Sequence, residues 1–225
     1  RDQYGNRFKI HMPYEERDAG RPLKTRPVYE KQKELGCVFG LNYGWEHPLW
    51  FAPQGVEPKE DYGFKRQDWW HHVKSECDNL RTNVGIVDVS NFGKYEVKGQ
   101  GASQWIDKII ANNVPKEIGR SCLTPLIGIR GGVAGDFTVT KLDDEHFFIV
   151  GSGMAERYHI RFFEMIDRPN TVSFQSLTEE MCGFNVAGPK SRELLSRMTQ
   201  DDLSTESWKF MRSRSITIAG IDAIA

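Results

Sequence analysis

The stretch Thr124-Pro-Leu-Ile-Gly-Ile-Arg-Gly-Gly-Val-Ala-Gly-Asp-Phe-Thr-Val-Thr-Lys-Leu142 places two apolar runs on either side of a segment holding Gly131, Gly132 and Gly135. Apolar and β-branched runs broken by clustered glycines fold as a β-hairpin, here with a wide tip. Gly131 and Gly132 have no Cβ, so the backbone can take positive φ and lie close to a ligand. Asp136 stands where the glycines end and the return strand, Phe137-Thr-Val-Thr140, begins. Pattern supports two readings of Asp136: a turn carboxylate that caps backbone N–H groups, or a strand-fixed acid–base group beside a concavity.

The chain has 225 residues, 39% hydrophobic and 27% charged, enough for one sizeable core or two small ones. A formal charge of −1 leaves no basic field for nucleic acid, and no apolar run approaches a membrane span. Cys37, Cys77, Cys122 and Cys182 are scattered in apolar segments with no Cys-x-x-Cys pair. They read as reduced core thiols, not a disulfide framework or zinc site, and suit a reducing compartment. The chain begins at Arg1 without an initiator Met and ends in an unfinished strand pair, 214–225, so a piece of a longer polypeptide is expected.

Residues 1–26 are polar, with no helical or strand period, and read as an extended segment. Pro27 suits the first turn of a helix over 28–35, stopped by Gly36, before a strand at 37–43. The aromatic block Gly44-Trp-Glu-His-Pro-Leu-Trp-Phe51 is either a buried connector or a seam to another domain. Asp68 is a candidate N-cap for a helix whose apolar positions, Trp69, Val73, Cys77, Leu80 and Val84, define one buried face. His71 and His72 are adjacent, diverge on a helix and do not suit one metal ion. Further helices are expected over 103–111, 154–167 and from 189 to 198. Strands are expected over 147–150, 172–177 and 182–187. Gly151-Ser-Gly153 puts backbone N–H groups at a helix N-terminus. Strands and single helices alternate irregularly and hairpins dominate, which is an α+β chain with mainly antiparallel sheet.

Gly131-Gly-Val-Ala-Gly-Asp-Phe-Thr-Val-Thr-Lys-Leu142 resembles the hairpin of the aminomethyltransferase (glycine-cleavage T-protein) family, which usually reads Gly-Gly-x-x-Asp-Asp-x-x-Val. In that family an aspartate here faces the tetrahydrofolate amine. Its second Asp falls on Asp136, and Gly135 replaces the first. Gly85-Ile-Val-Asp-Val-Ser-Asn-Phe92 resembles a stretch usually reading Asp-x-Ser-His-Met. Phe92 falls on the folate-lining Met, although pattern alone makes it ordinary core. Leu123 falls where the family often has a folate-contacting Tyr, and Ser152 and Gly153 replace an Asn-Ala pair that touches the pterin. Asp88 and Ser90 read as residues that fix a bend, and Ala187-Gly-Pro-Lys-Ser191 resembles a helix start concerned with packing.

A second resemblance lies upstream. Gly20-Arg-Pro-Leu-Lys-Thr-Arg-Pro-Val-Tyr29, Gly36-Cys-Val-Phe39 and the block 44–51 are similar to the segment that joins flavin and folate domains in dimethylglycine and sarcosine dehydrogenases. Plain T-proteins lack it. Together the two resemblances imply a truncated T-protein fold, with residues 1–60 a connector from a flavin-dependent oxidoreductase domain and 61–225 the N-terminal part of the folate domain. They imply a flavoprotein that oxidises a small N-methyl amine and captures the iminium carbon as methylenetetrahydrofolate. Asp136 would be catalytic, and Phe92, Leu123, Gly131, Gly132 and Ser152 would bind folate. Tetrahydrofolate and FAD are the implied cofactors, FAD in an upstream flavin domain, with no metal, nucleic acid or membrane involved. Bacterial cytoplasm or mitochondrial matrix is the implied compartment. The family's Tyr-x-Gly-Glu stretch and its flavin-linking histidine would lie outside these residues. Two further readings are a non-catalytic folate-fold module for domain assembly and a flavin-independent aminomethyltransferase or demethylase; the block 44–51 argues against the latter.

Overall fold

Every strand pair in the computed structural model, which describes residues 2–128 and 130–225, is antiparallel. Ile129, within the first hairpin run, and the chain start at Arg1 lie outside the described residues. Two compact units are present: residues up to Asp88 with Phe184–Pro189, and Val89–Gly183 with Lys190–Ala225.

The first unit is built on a hairpin. Strands β1 (Cys37–Asn42) and β2 (Trp45–Phe51) are joined by Tyr43 and Gly44, both at positive φ, the conformation a two-residue hairpin turn needs. The aromatic block is therefore mostly strand. Its Trp50 is buried with Val38 and Ala52, stacks on His72 at 5.3 Å and donates its indole N–H to Glu60 at 2.7 Å. The polar N-terminal segment holds a helical turn, α1 (Asp2–Gly5), and is tied to the hairpin. Arg21 pairs with Glu46 at 2.6 Å and donates to the Phe39 carbonyl, while Glu16 accepts the Leu41 N–H at 2.6 Å. Helix α2 (Tyr29–Glu34) ends before Gly36, where a Cβ would meet the Ala52 carbonyl oxygen at 2.5 Å.

Helix α3 (Trp69–Thr82) departs from expectation. Among its described residues none is buried; Trp69 and Val73, with the His72 ring, pack on the small Val38–Trp50–Ala52 cluster. Cys77 is exposed, and of the four thiols only Cys37 is buried, where burial pushes its pKa up to about 12. Asp68 has helical φ/ψ and makes no capping hydrogen bond, because its own backbone already continues the turn. Strand β3 (Gly85–Asp88) pairs with β9 (Phe184–Ala187) as a separate two-stranded ribbon.

The second unit has a five-stranded sheet in the order β5-β6-β7-β4-β8: β4 (Gly93–Lys98), β5 (Ser121–Ile127), β6 (Val133–Asp143), β7 (His146–Gly151) and β8 (Ser173–Ser176). Helices α4 (Ala102–Asp107) and α5 (Glu156–Glu164), the latter after a 3₁₀ turn at Gly153–Ala155, contribute Trp105, Ile106 and Phe163 to one core. Those three meet Tyr95, Val97, Leu126, Phe137, Val139, Phe147 and Ile149 from the sheet. α4 is shorter than the apolar pattern suggests, yet Ile109 and Ile110 stay buried beyond its end. Helix α6 (Ser191–Ser196) starts after Pro189, which precedes its first turn. A last hairpin, β10 (Ser215–Ile218) and β11 (Ile221–Ile224), turns at Ala219-Gly220, both at positive φ.

One glycine moves. The hairpin tip is closed by hydrogen bonds from Gly128 N–H to Gly132 O and from Gly131 N–H to Gly128 O, each 2.8 Å. Gly135 is not part of the turn; it lies within β6, opposite Leu126. A glycine inside a ladder marks a close approach, and here His159 lies beneath it, its Nε2 at 2.9 Å from where a Cβ would be.

Candidate functional site

Strand alternation builds the site. In β6, Phe137 and Val139 are buried in the core, so Asp136 and Thr138 point to the opposite face. The register sets Pro125 beside Asp136, and Leu123 and Val150 on either side of Thr138. These five side chains make one patch that lines a cleft of about 350 Å³, with Phe92 and Ser152 also on its wall. The structure thus brings together four residues singled out in the sequence: Phe92, Leu123, Asp136 and Ser152. Gly131 and Gly132 lie elsewhere, exposed at the hairpin tip and outside the cleft lining.

The bend that carries Phe92 is held from below. Ser90 Oγ donates to the Gly183 carbonyl at 3.3 Å and accepts the Gly183 N–H at 3.0 Å. The buried Lys94 ammonium donates to the carbonyls of Ser90 (2.8 Å) and Phe92 (3.0 Å). Gly153 lies against the Asn91 carbonyl with no room for a Cβ, which draws the end of β7 and Ser152 up to the bend. Ser90 therefore acts on conformation, and Asp88 likewise, accepting the Gln32 side-chain N–H at 3.0 Å.

Asp136 is exposed and, among the described residues, makes no hydrogen bond or ion pair, so it does not cap the turn. Around it stand Phe92, Leu123, Pro125 and Val150, and no Lys or Arg lines the cleft. The site is one acceptor-only carboxylate among apolar walls. It can accept an N–H from a flat, partly apolar ligand, or take its proton. No group of three His, Cys, Asp or Glu is placed to hold a metal ion among the described residues.

Sequence reasoning missed His159, which it read only as part of a helix. It is 1% exposed, shares a 3.1 Å hydrogen bond with the Tyr95 hydroxyl through Nδ1, and packs edge-on to Phe137 at 4.6 Å. Its Nε2 has no partner among the described residues. Burial pushes its pKa down, opposed by the charges of Asp136 and Glu156. The available signal was the pair of in-strand glycines, Gly135 and Gly151, that make room for its ring and for that of Phe137.

Dimethylglycine dehydrogenase from Rattus norvegicus is 32% identical over 100% of this chain and 26% of its own length. 4-Methylaminobutanoate oxidase (formaldehyde-forming) from Paenarthrobacter nicotinovorans is 29% identical over 96% of this chain and 26% of its own. The chain thus spans about a quarter of these relatives. The crystal structure of glycine cleavage system aminomethyltransferase T from Bartonella henselae shares the fold, with a TM-score of 0.69 at 22% identity over 85% of this chain and 47% of that one. Residues 28–225 match the family described as GCVT N-terminal domain, and on that match the chain belongs to this family.

Proposed function

We propose that this chain is the tetrahydrofolate-binding part of a flavin-dependent N-methyl-amine dehydrogenase of the dimethylglycine or sarcosine type. The observation that carries the reading is the convergence of Phe92, Leu123, Asp136 and Ser152 on one cleft. The residues present suit a reduced pterin: its faces are apolar, its edge bears N–H donors, and the cleft offers apolar walls and one uncompensated acceptor. When bound, tetrahydrofolate supplies a nucleophilic amine that takes up a one-carbon unit.

The chain's own residues do the rest. Asp136 accepts the N–H of that amine, orients it, and receives its proton as the nitrogen gains a bond to carbon. Phe92, Leu123 and Val150 exclude water, which matters because a free iminium hydrolyses to formaldehyde. Ser152 contributes a hydroxyl at the edge of the cleft. The flavin would belong to another part of the intact polypeptide, and the compartment would be the mitochondrial matrix or the bacterial cytoplasm. Among the described residues no helix is long and apolar enough to cross a membrane.

The test is calorimetric titration of tetrahydrofolate into the intact protein, wild type beside Asp136→Ala. Affinity should fall by about tenfold, the size of one lost charge-assisted hydrogen bond, and formaldehyde released per amine oxidised should rise. A wild type that binds no tetrahydrofolate would overturn the reading in favour of a non-catalytic module of the same fold.

A further inference from the structure

The cleft has a second layer beneath it. Gly135 in β6 and Gly151 in β7 leave the sheet bare on its core side, and the His159 ring fills the space at Gly135 while Phe137, with His159 behind it, fills that at Gly151. The His159 Nε2 lies 2.9 Å from the Cβ position of Gly135, and its Cε1 lies 3.3 Å from that of Gly151. Tyr95, fully buried in β4, holds the other nitrogen, and Phe137 packs against the ring edge. One residue along the strand from Gly135, Asp136 leaves β6 on the opposite face, into the cleft. The imidazole and the carboxylate are thus separated by one layer of backbone. A buried polar atom left unsatisfied costs about 1–3 kcal/mol. A side chain that only filled core would not carry one.

We propose that His159 is the positioning residue of the cleft: from beneath the sheet it fixes the part of β6 that carries Asp136, and its charge state governs how that carboxylate meets a ligand. Neutral, it leaves Asp136 the uncompensated acceptor described above. Protonated, it becomes a buried cation one backbone layer away, which competes with a ligand N–H for the carboxylate's charge. The titratable and charged groups around the ring are Asp136 from β6, acting through the backbone layer, Tyr95 from β4, Glu156 from the start of α5 and the neighbouring Tyr158, whose ring lies 6.2 Å away. Glu156 is engaged by the Ser176 hydroxyl at 2.7 Å. Burial holds the imidazole neutral and pushes the Tyr95 hydroxyl up, so at neutral pH the pair is uncharged.

The proposal rests on the folate reading for its ligand but not for its first test. In the intact protein, the His159 ring protons are followed by NMR against pH, wild type beside Asp136→Asn. Removing the carboxylate charge should lower the pH at which His159 titrates; superimposable curves would refute the coupling whether or not any folate binds. Then 5-formyltetrahydrofolate is titrated between pH 5.5 and 8 into wild type, His159→Gln and His159→Phe. Wild-type affinity should fall on the acid side as His159 takes up its proton. Both variants should lose that fall, with affinity at pH 7.5 down roughly threefold to tenfold, as for loss of a coupled neighbour. Whichever variant keeps the wild-type near-ultraviolet circular dichroism decides: an unchanged acid limb there makes His159 a packing residue only. Absence of wild-type binding at every pH would overturn the folate reading, while the NMR comparison still judges the coupling.

Discussion

The two units bury their apolar residues very differently. The sheet of the second unit closes over Tyr95, Trp105, Phe147, Phe163 and Ile149, all at most 2% exposed. Among the described residues of the first unit, the buried apolar side chains are Cys37, Val38, Trp50 and Ala52, with Trp69 and Val73 half-covered. Both sequences carry strong apolar patterning. The difference is what the pattern packs against. In the second unit two helices lie on one face of a five-stranded sheet. In the first, a fourteen-residue helix meets a two-stranded ribbon too narrow to cover it. Periodicity thus reports that a face is apolar, not that enough surface exists to bury it.

The largest effect should therefore fall in the second unit. Trp105→Ala should cost about 3–5 kcal/mol, since nothing around it can collapse into the space. Trp50→Ala should cost less, about 2–3 kcal/mol, because Trp69 and Val73 beside it are half-buried and can move. Denaturant-dependent amide exchange, read separately for the β4–β8 sheet and for the β1–β2 hairpin, measures both. Equal losses would break the comparison.

Next come the glycines. Gly135→Ala should destabilise the second unit by about 1–3 kcal/mol, because its Cβ meets the His159 ring. Gly44→Ala, in the first unit's hairpin, should cost about 1 kcal/mol for another reason: its φ is +89° with open space around it. A second substitution tells them apart. His159→Ala should relieve the cost at Gly135, a positive coupling in a double-mutant cycle, and no side-chain truncation should relieve Gly44. Thermal melts of the single and double variants supply the numbers.

The hairpin, the antiparallel class and the apolar strands of the second unit are legible in the sequence, because glycine clusters and strand alternation are local signals. The cleft is only half legible. Asp136 stands out as the carboxylate at the glycine-rich hairpin, but Phe92, Leu123 and Ser152 are reached by resemblance, and no period links three residues drawn from a bend, an edge strand and a strand end. Gly131 and Gly132 suggest a site because glycines allow close approach; in the structure they lie at the hairpin tip, outside the cleft lining. The glycine that does mark a close approach is Gly135, and what approaches it is a histidine 24 positions on, which the local pattern cannot show. In α3 the apolar spacing is right and burial is not, since burial depends on the partner surface.

Acid should separate the units further. His159 and His47 both have pKa values lowered by burial, His47 against the pull of Asp88 and Glu16. A folded-state value below the unfolded one means the folded state binds fewer protons. The stability this contributes is fully present above the unfolded value, about 6.5, and is lost as pH falls through the folded value. The second unit should therefore lose melting temperature between pH 6.5 and 5, and His159→Gln should flatten that limb. His47 is only half-buried, so the first unit should show the weaker slope. A steeper slope in the first unit would mean that burial is not what sets these two histidines apart.

The smallest expected change in stability is at the cleft itself. Leu123 is 66% exposed on the outward face of β5, beside Thr138. Leu123→Ser removes little buried surface, so stability should move by no more than about 0.5 kcal/mol. Its effect on 5-formyltetrahydrofolate should be larger than on the fold, a loss of roughly threefold to tenfold, because the wall it forms is apolar only when something covers it. Core residues of the second unit should behave the opposite way, changing stability first and binding only through it. A Leu123→Ser protein with unchanged affinity and unchanged melting temperature would mean that the outward face of β5 is ordinary surface, and would shrink the working cleft to Phe92, Asp136 and Ser152.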